Sequence, residues 1–111
     1  MFLVFMPYQL KKTDEFGVEF NKLSLDIQKR FEKQFRKVEE NPYGLGKSLG
    51  YTWFRELKNE GHRVYYLIYE DKIIVLFVGV SGKSDQQSSI DQIKSNLPIF
   101  KEFVVKESKI L

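Results

Sequence analysis

The chain has 111 residues, with 18 Lys and Arg against 15 Asp and Glu, one His and no Cys. That length makes one domain with one core, and 42% hydrophobic residues, ten Phe and six Tyr among them, favour a packed globule over a disordered segment. No Cys means neither a disulfide framework nor a thiolate metal site, one His excludes a His-rich metal site, and no apolar run approaches the ~18 residues of a membrane span. The composition fits a reducing cytoplasm, and a net charge of +3 permits nucleic-acid contact without requiring it.

Phe2 to Met6 is a short apolar run closed by Pro7, and its basic residues follow rather than precede it, the reverse of a signal peptide, so it is expected to be a strand. Thr13-Asp14-Glu15 then supplies an N-cap and an acidic first turn. Phe16, Phe20, Leu23, Ile27, Phe31, Phe35 and Val38 follow at helical spacing. The stripe is either one long helix or, with Ser24 capping a second, a helical hairpin. Asn41-Pro42 stops it, and "NPYGLGKSLG" is a glycine-punctuated loop.

Three strand-like runs come next, Trp53 to Lys58, His62 to Tyr69 and Ile73 to Val80, with separators short enough for an antiparallel meander. Ser84 is expected to cap a last helix bearing Ile90, Ile93 and Leu97, which Pro98 ends or kinks. The expectation is one α+β domain over residues 1–111: an antiparallel sheet of the N-terminal strand and the meander, packed against a helical hairpin, with a C-terminal helix and an extension over 98–111.

Within that order, "NPYGLGKSL", "FRELKNEGHRVYY" and "KIIVLFVGVSGKS" leading into a helix resemble the RelE/ParE superfamily of bacterial and archaeal toxins, from Tyr8 to about Leu97. Gly61-His62-Arg63-Val64-Tyr65-Tyr66 looks like the family's G-x-R-x-x-Y strand start. The resemblance implies a toxin held inactive by a cognate antitoxin. RelE-like members cut messenger RNA at the ribosome; ParE-like members inhibit DNA gyrase. Cleavage by attack of a ribose 2′-OH needs help in deprotonating that hydroxyl, stabilising a phosphorane and protonating the leaving oxygen. Arg and Lys on one sheet face supply the charge, with no metal or other cofactor implied.

Carried over by position, Arg63 is the strand arginine that contacts the scissile phosphate and Lys83 the basic residue after the following strand. Glu56 stands where better-known members carry lysines and is a candidate carboxylate base. His62 is the side chain whose ordinary pKa lies near neutrality, but alternation puts Arg63, Tyr65, Leu67 and Tyr69 on one face and His62, Val64, Tyr66 and Ile68 on the other. Lys58 remains the cation of the first meander strand, and Arg55, Lys47 and Tyr65 complete a candidate RNA-binding set. Where the family has a catalytic tyrosine in the last helix, this chain has Ser88-Ser89.

Each residue also has a plainer reading. Arg63 makes a cross-strand ion pair with Glu56 or Glu70, Lys83 is solvated on a turn, and Arg55 and Lys58 guard an edge strand. His62 flanks a turn at the surface, and Tyr65, Tyr66, Tyr69 and Trp53 are core or rim. Lys29, Arg30, Lys33, Arg36 and Lys37 form a solvated helix face, with acidic partners four residues before Arg30 and Arg36. The expected function is a metal-free endoribonuclease toxin; the alternatives are a non-catalytic gyrase inhibitor and a decayed member that only binds nucleic acid or an antitoxin.

Overall fold

The computed structural model describes residues 6–106 and 109–111. A strand β1 (Gln9–Lys12) leads into helices α1 (Asp14–Asn21) and α2 (Leu25–Glu40), then the two-residue strand β2 (Lys47–Ser48). The meander follows as β3 (Phe54–Asn59), β4 (His62–Tyr69) and β5 (Ile74–Ser81), and helices α3 (Gln86–Ser95) and α4 (Leu97–Lys106) precede a short β6 (Lys109–Ile110). Among the described residues no helix is long and apolar enough to cross a membrane.

Two side-chain caps make the helical hairpin. Thr13 Oγ1 accepts from the Phe16 amide at 3.0 Å and Ser24 Oγ from the Ile27 amide at 3.3 Å, so the stripe is two helices rather than one. Their apolar faces converge on Phe77 of β5, whose ring lies 4.3 Å from Phe35 and 5.5 Å from Phe16. Phe16, Phe20, Ile27, Phe31, Phe35 and Val38 form a core with Val64, Tyr66, Ile68 and Val75 from that side of the sheet. On the opposite side Phe54, Tyr65, Leu67, Leu76 and Val78 pack under Ile90 and Ile93 of α3 and Val104 of α4. The central strands are therefore sandwiched between two helical layers.

The sheet departs from expectation in one respect: its order is β2-β3-β4-β5-β1-β6, and β1 runs parallel to β5. The sheet is mixed rather than antiparallel. β3, β4 and β5 alternate in sense, so β3 and β5 both run with β1, and the chain reaches β3 from β1 only through the α1–α2 hairpin and the segment carrying β2, a crossover rather than a tight turn. The expected strand over Phe2–Met6 falls, apart from Met6, outside the described residues; Met6 is not in a strand, and Gln9–Lys12 is. At the other end the helix bearing Ile90 and Ile93 stops at Ser95, just before Pro98, and the chain resumes as α4. Pro98 sits in the first turn of α4, where its missing N–H has no intrahelical acceptor to lose. The residue preceding α3 is Asp85 rather than Ser84, and its carboxylate accepts from the Gly82 amide at 2.8 Å instead of capping the helix.

The β3–β4 connection needs left-handed backbone. Glu60 and Gly61 have φ of 47° and 86° between the paired residues Asn59 and His62, the signs that a type I′ hairpin requires at both central positions. A Cβ added to Gly61 would meet no atom within 4 Å, so only its dihedral opposes substitution. Gly61→Ala is expected to lower stability by about 1 kcal/mol, seen as a lower midpoint of urea unfolding with an unchanged slope.

Candidate functional site

Strand register brings most of the candidate residues together. Lys47 of β2 pairs with Glu56 of β3, Glu56 with Tyr65 of β4, and Tyr65 with Gly79 of β5. In the next row Lys58 pairs with Arg63 and Arg63 with Ser81. Directly paired residues point to the same side, so Lys47, Glu56, Lys58, Arg63, Tyr65 and Ser81 share one face, that of α3 and α4, at the end nearest the β3–β4 turn. Lys83 follows two residues after Ser81 and is exposed, as are Lys47 and Lys58.

Beneath those lysines lies a buried polar cluster. Arg63 is only 5% exposed. Its Nε stands 3.5 Å from Glu56 Oε1, and its Nη1 donates to the Gly61 carbonyl at 3.1 Å. The Glu56 contact is an ion pair without hydrogen-bond geometry, so Nε has no hydrogen-bond partner. Glu56 accepts from Gln86 Nε2 at 2.7 Å, which ties the first residue of α3 to the sheet. Tyr65 and Ser81 join their hydroxyls at 2.7 Å, and Ser81 Oγ also lies 3.1 Å from the Gly82 carbonyl. Burial pushes the Tyr65 phenol up to about 12, with the nearby Glu56 carboxylate adding to the rise and the Ser81 hydrogen bond and Arg63 opposing it. Tyr65 is therefore a proton donor in the neutral range and not a base.

Three expectations are corrected. Arg63 is not an exposed strand arginine; it makes the cross-strand pair with Glu56 that the plainer reading gave it. Tyr65 is wholly buried and offers no ring for a base to stack on. Arg55 lies on the other face, where its guanidinium donates to the carbonyls of Leu45 at 2.7 Å, Thr52 at 3.1 Å and Gly46 at 3.2 Å. Tyr66 on the same face donates to Pro42 at 2.7 Å and to Leu45 at 3.0 Å. Together they pin the 41–52 loop, which is why these polar groups sit inside the sheet. His62 is half-buried beside the turn and alternates away from Arg63, on the side where its pair-mate Asn59 donates to Gln34 of α2 at 2.6 Å.

Ser81 and Gln86 belong to the cluster without having been singled out. Their sequence context, "VSGKSDQQSS", reads as turn and helix start. Their roles depend on a register irregularity between Tyr65 and Tyr66 that no local pattern announces. A cleft of about 700 Å³ opens between α1 and the α3–α4 pair over Val78–Val80. Among the described residues no group of three or more His, Cys, Asp or Glu is placed to hold a metal ion.

No protein-family model matches the sequence, and no curated protein is significantly similar to it. Solved structures are similar in fold. An E. coli toxin RelE carrying two arginine-to-alanine substitutions, in the free state, superposes with a TM-score of 0.66 at 22% identity, over 78% of this chain and 93% of its own. A chain of the intact E. coli RelBE toxin–antitoxin complex gives 0.62 at 23% identity, over 68% and 95%. The archaeal RelE–RelB complex of Pyrococcus horikoshii gives 0.57 at 15%, over 70% and 97%. The chain has the RelE fold.

Removing Arg63 alone leaves a buried carboxylate unpaired. Arg63→Ala is expected to cost about 3 kcal/mol or more in chemical denaturation, and combining Glu56→Gln with Arg63→Met to restore most of it. A spectrophotometric titration reports on the buried phenols: Tyr65, Tyr66 and Tyr69 all stand at about 12, above the ordinary 10, each mainly through burial. With folded values raised, the stability these groups contribute is complete below pH 10 and is lost as pH climbs from 10 to 12. Their phenolate absorbance is expected to appear only in that window, together with loss of structure.

Proposed function

We propose that this chain is the toxin of a toxin–antitoxin pair and that it cuts messenger RNA at the ribosome by attack of a ribose 2′-OH on the adjacent phosphate. The observation that carries the reading is the RelE fold presenting three exposed lysines, Lys47, Lys58 and Lys83, around the buried Arg63 on one sheet face. The similar solved structures are RelE toxins and their complexes with antitoxins, which supports a cognate antitoxin as the partner here.

A scissile phosphate seated between Lys58 and Lys83 meets positive charge at its rim and the field of Arg63 below. Arg63 is available to it in part, because its Nε has no hydrogen bond and its pair with Glu56 is long. The incoming phosphate competes with Glu56 for that guanidinium, and the carboxylate released from Arg63 and Gln86 takes the 2′-OH proton as the 2′-oxygen bonds to phosphorus, while the P–O5′ bond breaks and the departing 5′-oxygen is protonated from solvent. The Tyr65 phenol, held protonated, shares a hydrogen bond with Ser81 and does not serve as the base. His62, on the other face, takes no part.

One observation favours a second reading. Arg63 and Tyr65 are almost sealed, and Ser88-Ser89 stand where the resembled family carries a tyrosine, so inhibition of a protein such as DNA gyrase without RNA cleavage would use this fold with no chemistry at all.

Induction in a bacterial host with mapping of new RNA 5′ ends separates the two. Growth arrest with codon-positioned cuts is expected. Lys58→Ala with Lys83→Ala, both at exposed positions, should lower the cutting rate by about 10²-fold without altering the unfolding midpoint. Arrest without new ends would replace the nuclease with the protein inhibitor.

A further inference from the structure

At the far end of β3 from the lysine-ringed cluster, Tyr51 and Trp53 lie ring on ring, with centroids 4.6 Å apart and planes 16° from parallel. Trp53 is the inner ring, packed against both hydrophobic cores, and Tyr51 is the outer one, 48% exposed. The core accounts for Trp53 and leaves Tyr51 unexplained.

Lysines approach this pair along the sheet edge and from α3. Residues 41–55 contain no Asp or Glu, and the run from Lys47 to Tyr51 leads along the sheet edge from the lysine face to the aromatic pair. Lys94, exposed in the last turn of α3, reaches over that run: a Cβ built on Gly50 would lie 3.8 Å from its Nζ. A cleft of about 490 Å³ beside the pair is lined by Trp53, Tyr69, Leu97 and Lys101, together with Glu70 and Asp71. Glu70 already accepts the hydroxyls of Tyr8 and, at 3.0 Å, Tyr43. A neutral base on the rings is not repelled by Asp71, while the phosphates on either side of it pass Lys47 and Lys94.

We propose that Tyr51 and Trp53 form a stacking platform for an unpaired RNA base, with Lys94 and Lys47 holding the phosphates that connect it to the cleavage face. From Phe54 to Lys58 is roughly 13 Å at ~3.3 Å per residue, a span that a few nucleotides of extended strand cover. The platform therefore binds a nucleotide away from the scissile bond and sets which stretch of the strand reaches Lys58 and Lys83. This assignment rests on the RNA-cutting reading for its purpose and on the rings and cations for its existence.

The chain has a single tryptophan, so its intrinsic emission reports on this platform directly. The probe is a short oligoadenylate with 2′-O-methyl riboses, which lacks the attacking hydroxyl and cannot be cut by that route. Titration into the purified protein is expected to quench Trp53 to saturation, with affinity falling steeply as salt rises. Tyr51→Ala should weaken binding by about 5- to 150-fold, the loss of one base stack, and Lys94→Ala should weaken it and flatten the salt slope. Binding seen by anisotropy of a labelled oligomer without a change in Trp53 emission would overturn the proposal, as would no binding. Unchanged affinity in Tyr51→Ala would overturn it too, and would point to a protein on these rings. RNA 5′ ends mapped in cells read the other proposal separately: quenching without cuts keeps the platform and removes the nuclease, whereas cuts with no quenching do the reverse.

Discussion

A single extra residue in β5 sets the chemistry of the sheet. From Tyr69↔Ile74 to Tyr66↔Phe77 the β4–β5 register is regular, but Tyr65 then faces Gly79, so Val78 is bulged. In an unbroken ladder Val80 would lie opposite Arg63, and Ser81 opposite His62. The bulge exchanges the faces of everything after Val78, because strand side chains alternate with period two. Val80 turns to the core under α1 and α2, and Ser81 turns to the Tyr65 phenol. Gly79, opposite Tyr65, is narrow enough for α3 to close over it; a Cβ there would come within 3.2 Å of Ile93. One irregularity thus completes an apolar core on one side and a polar cluster on the other.

That cluster is poorly explained as a stabilising device. Two charges at 6% side-chain exposure must be stripped of water, and an ion pair at 3.5 Å with an unbonded Nε returns only part of that cost. Apolar residues of the same volume would hold the strands together at least as well. Arg55 is the contrast: its three carbonyl contacts, to Leu45, Thr52 and Gly46, tie a glycine-containing loop to the sheet. Two arginines eight residues apart in sequence therefore do different physical work. One closes a loop and is used up; the other retains donor capacity beneath an exposed ring of lysines.

How far the sequence discloses this follows from the range of each interaction. Caps act over three residues, so Thr13 and Ser24 announce two helices, and the Glu-Gly turn announces the β3–β4 hairpin. Alternation acts within a strand, so it separates Arg63 and Tyr65 from His62 and Tyr66 correctly. What is set by partners distant in sequence stays hidden. β1 has one buried apolar residue, Leu10, and is a strand because β5 and β6 flank it. Its parallel sense follows from the crossover, the burial of Arg63 from residues that arrive with α3, and the place of Ser81 from the bulge. The family resemblance singled out the face that carries Glu56, Arg63 and the three lysines, and gave no sign of how deeply Glu56 and Arg63 are buried there.

The two helical layers also explain why the exposed basic groups lie where they do. β4 and the middle of β5 are buried on both sides, which leaves polar function to the end beyond the first turn of α3 and to the short edge at β2. Lys58 and Lys83 occupy the first and Lys47 the second, while Tyr51 continues that edge past the point where β2 stops pairing. Gln86 sits at the boundary, hydrogen-bonded to Glu56 from the first position of α3. Any ligand that draws Arg63 away from Glu56 must act on a carboxylate that Gln86 also holds. Access to the buried charges and the seating of the N-terminal turn of α3 are therefore coupled through the one carboxylate of Glu56 that both Arg63 and Gln86 hold.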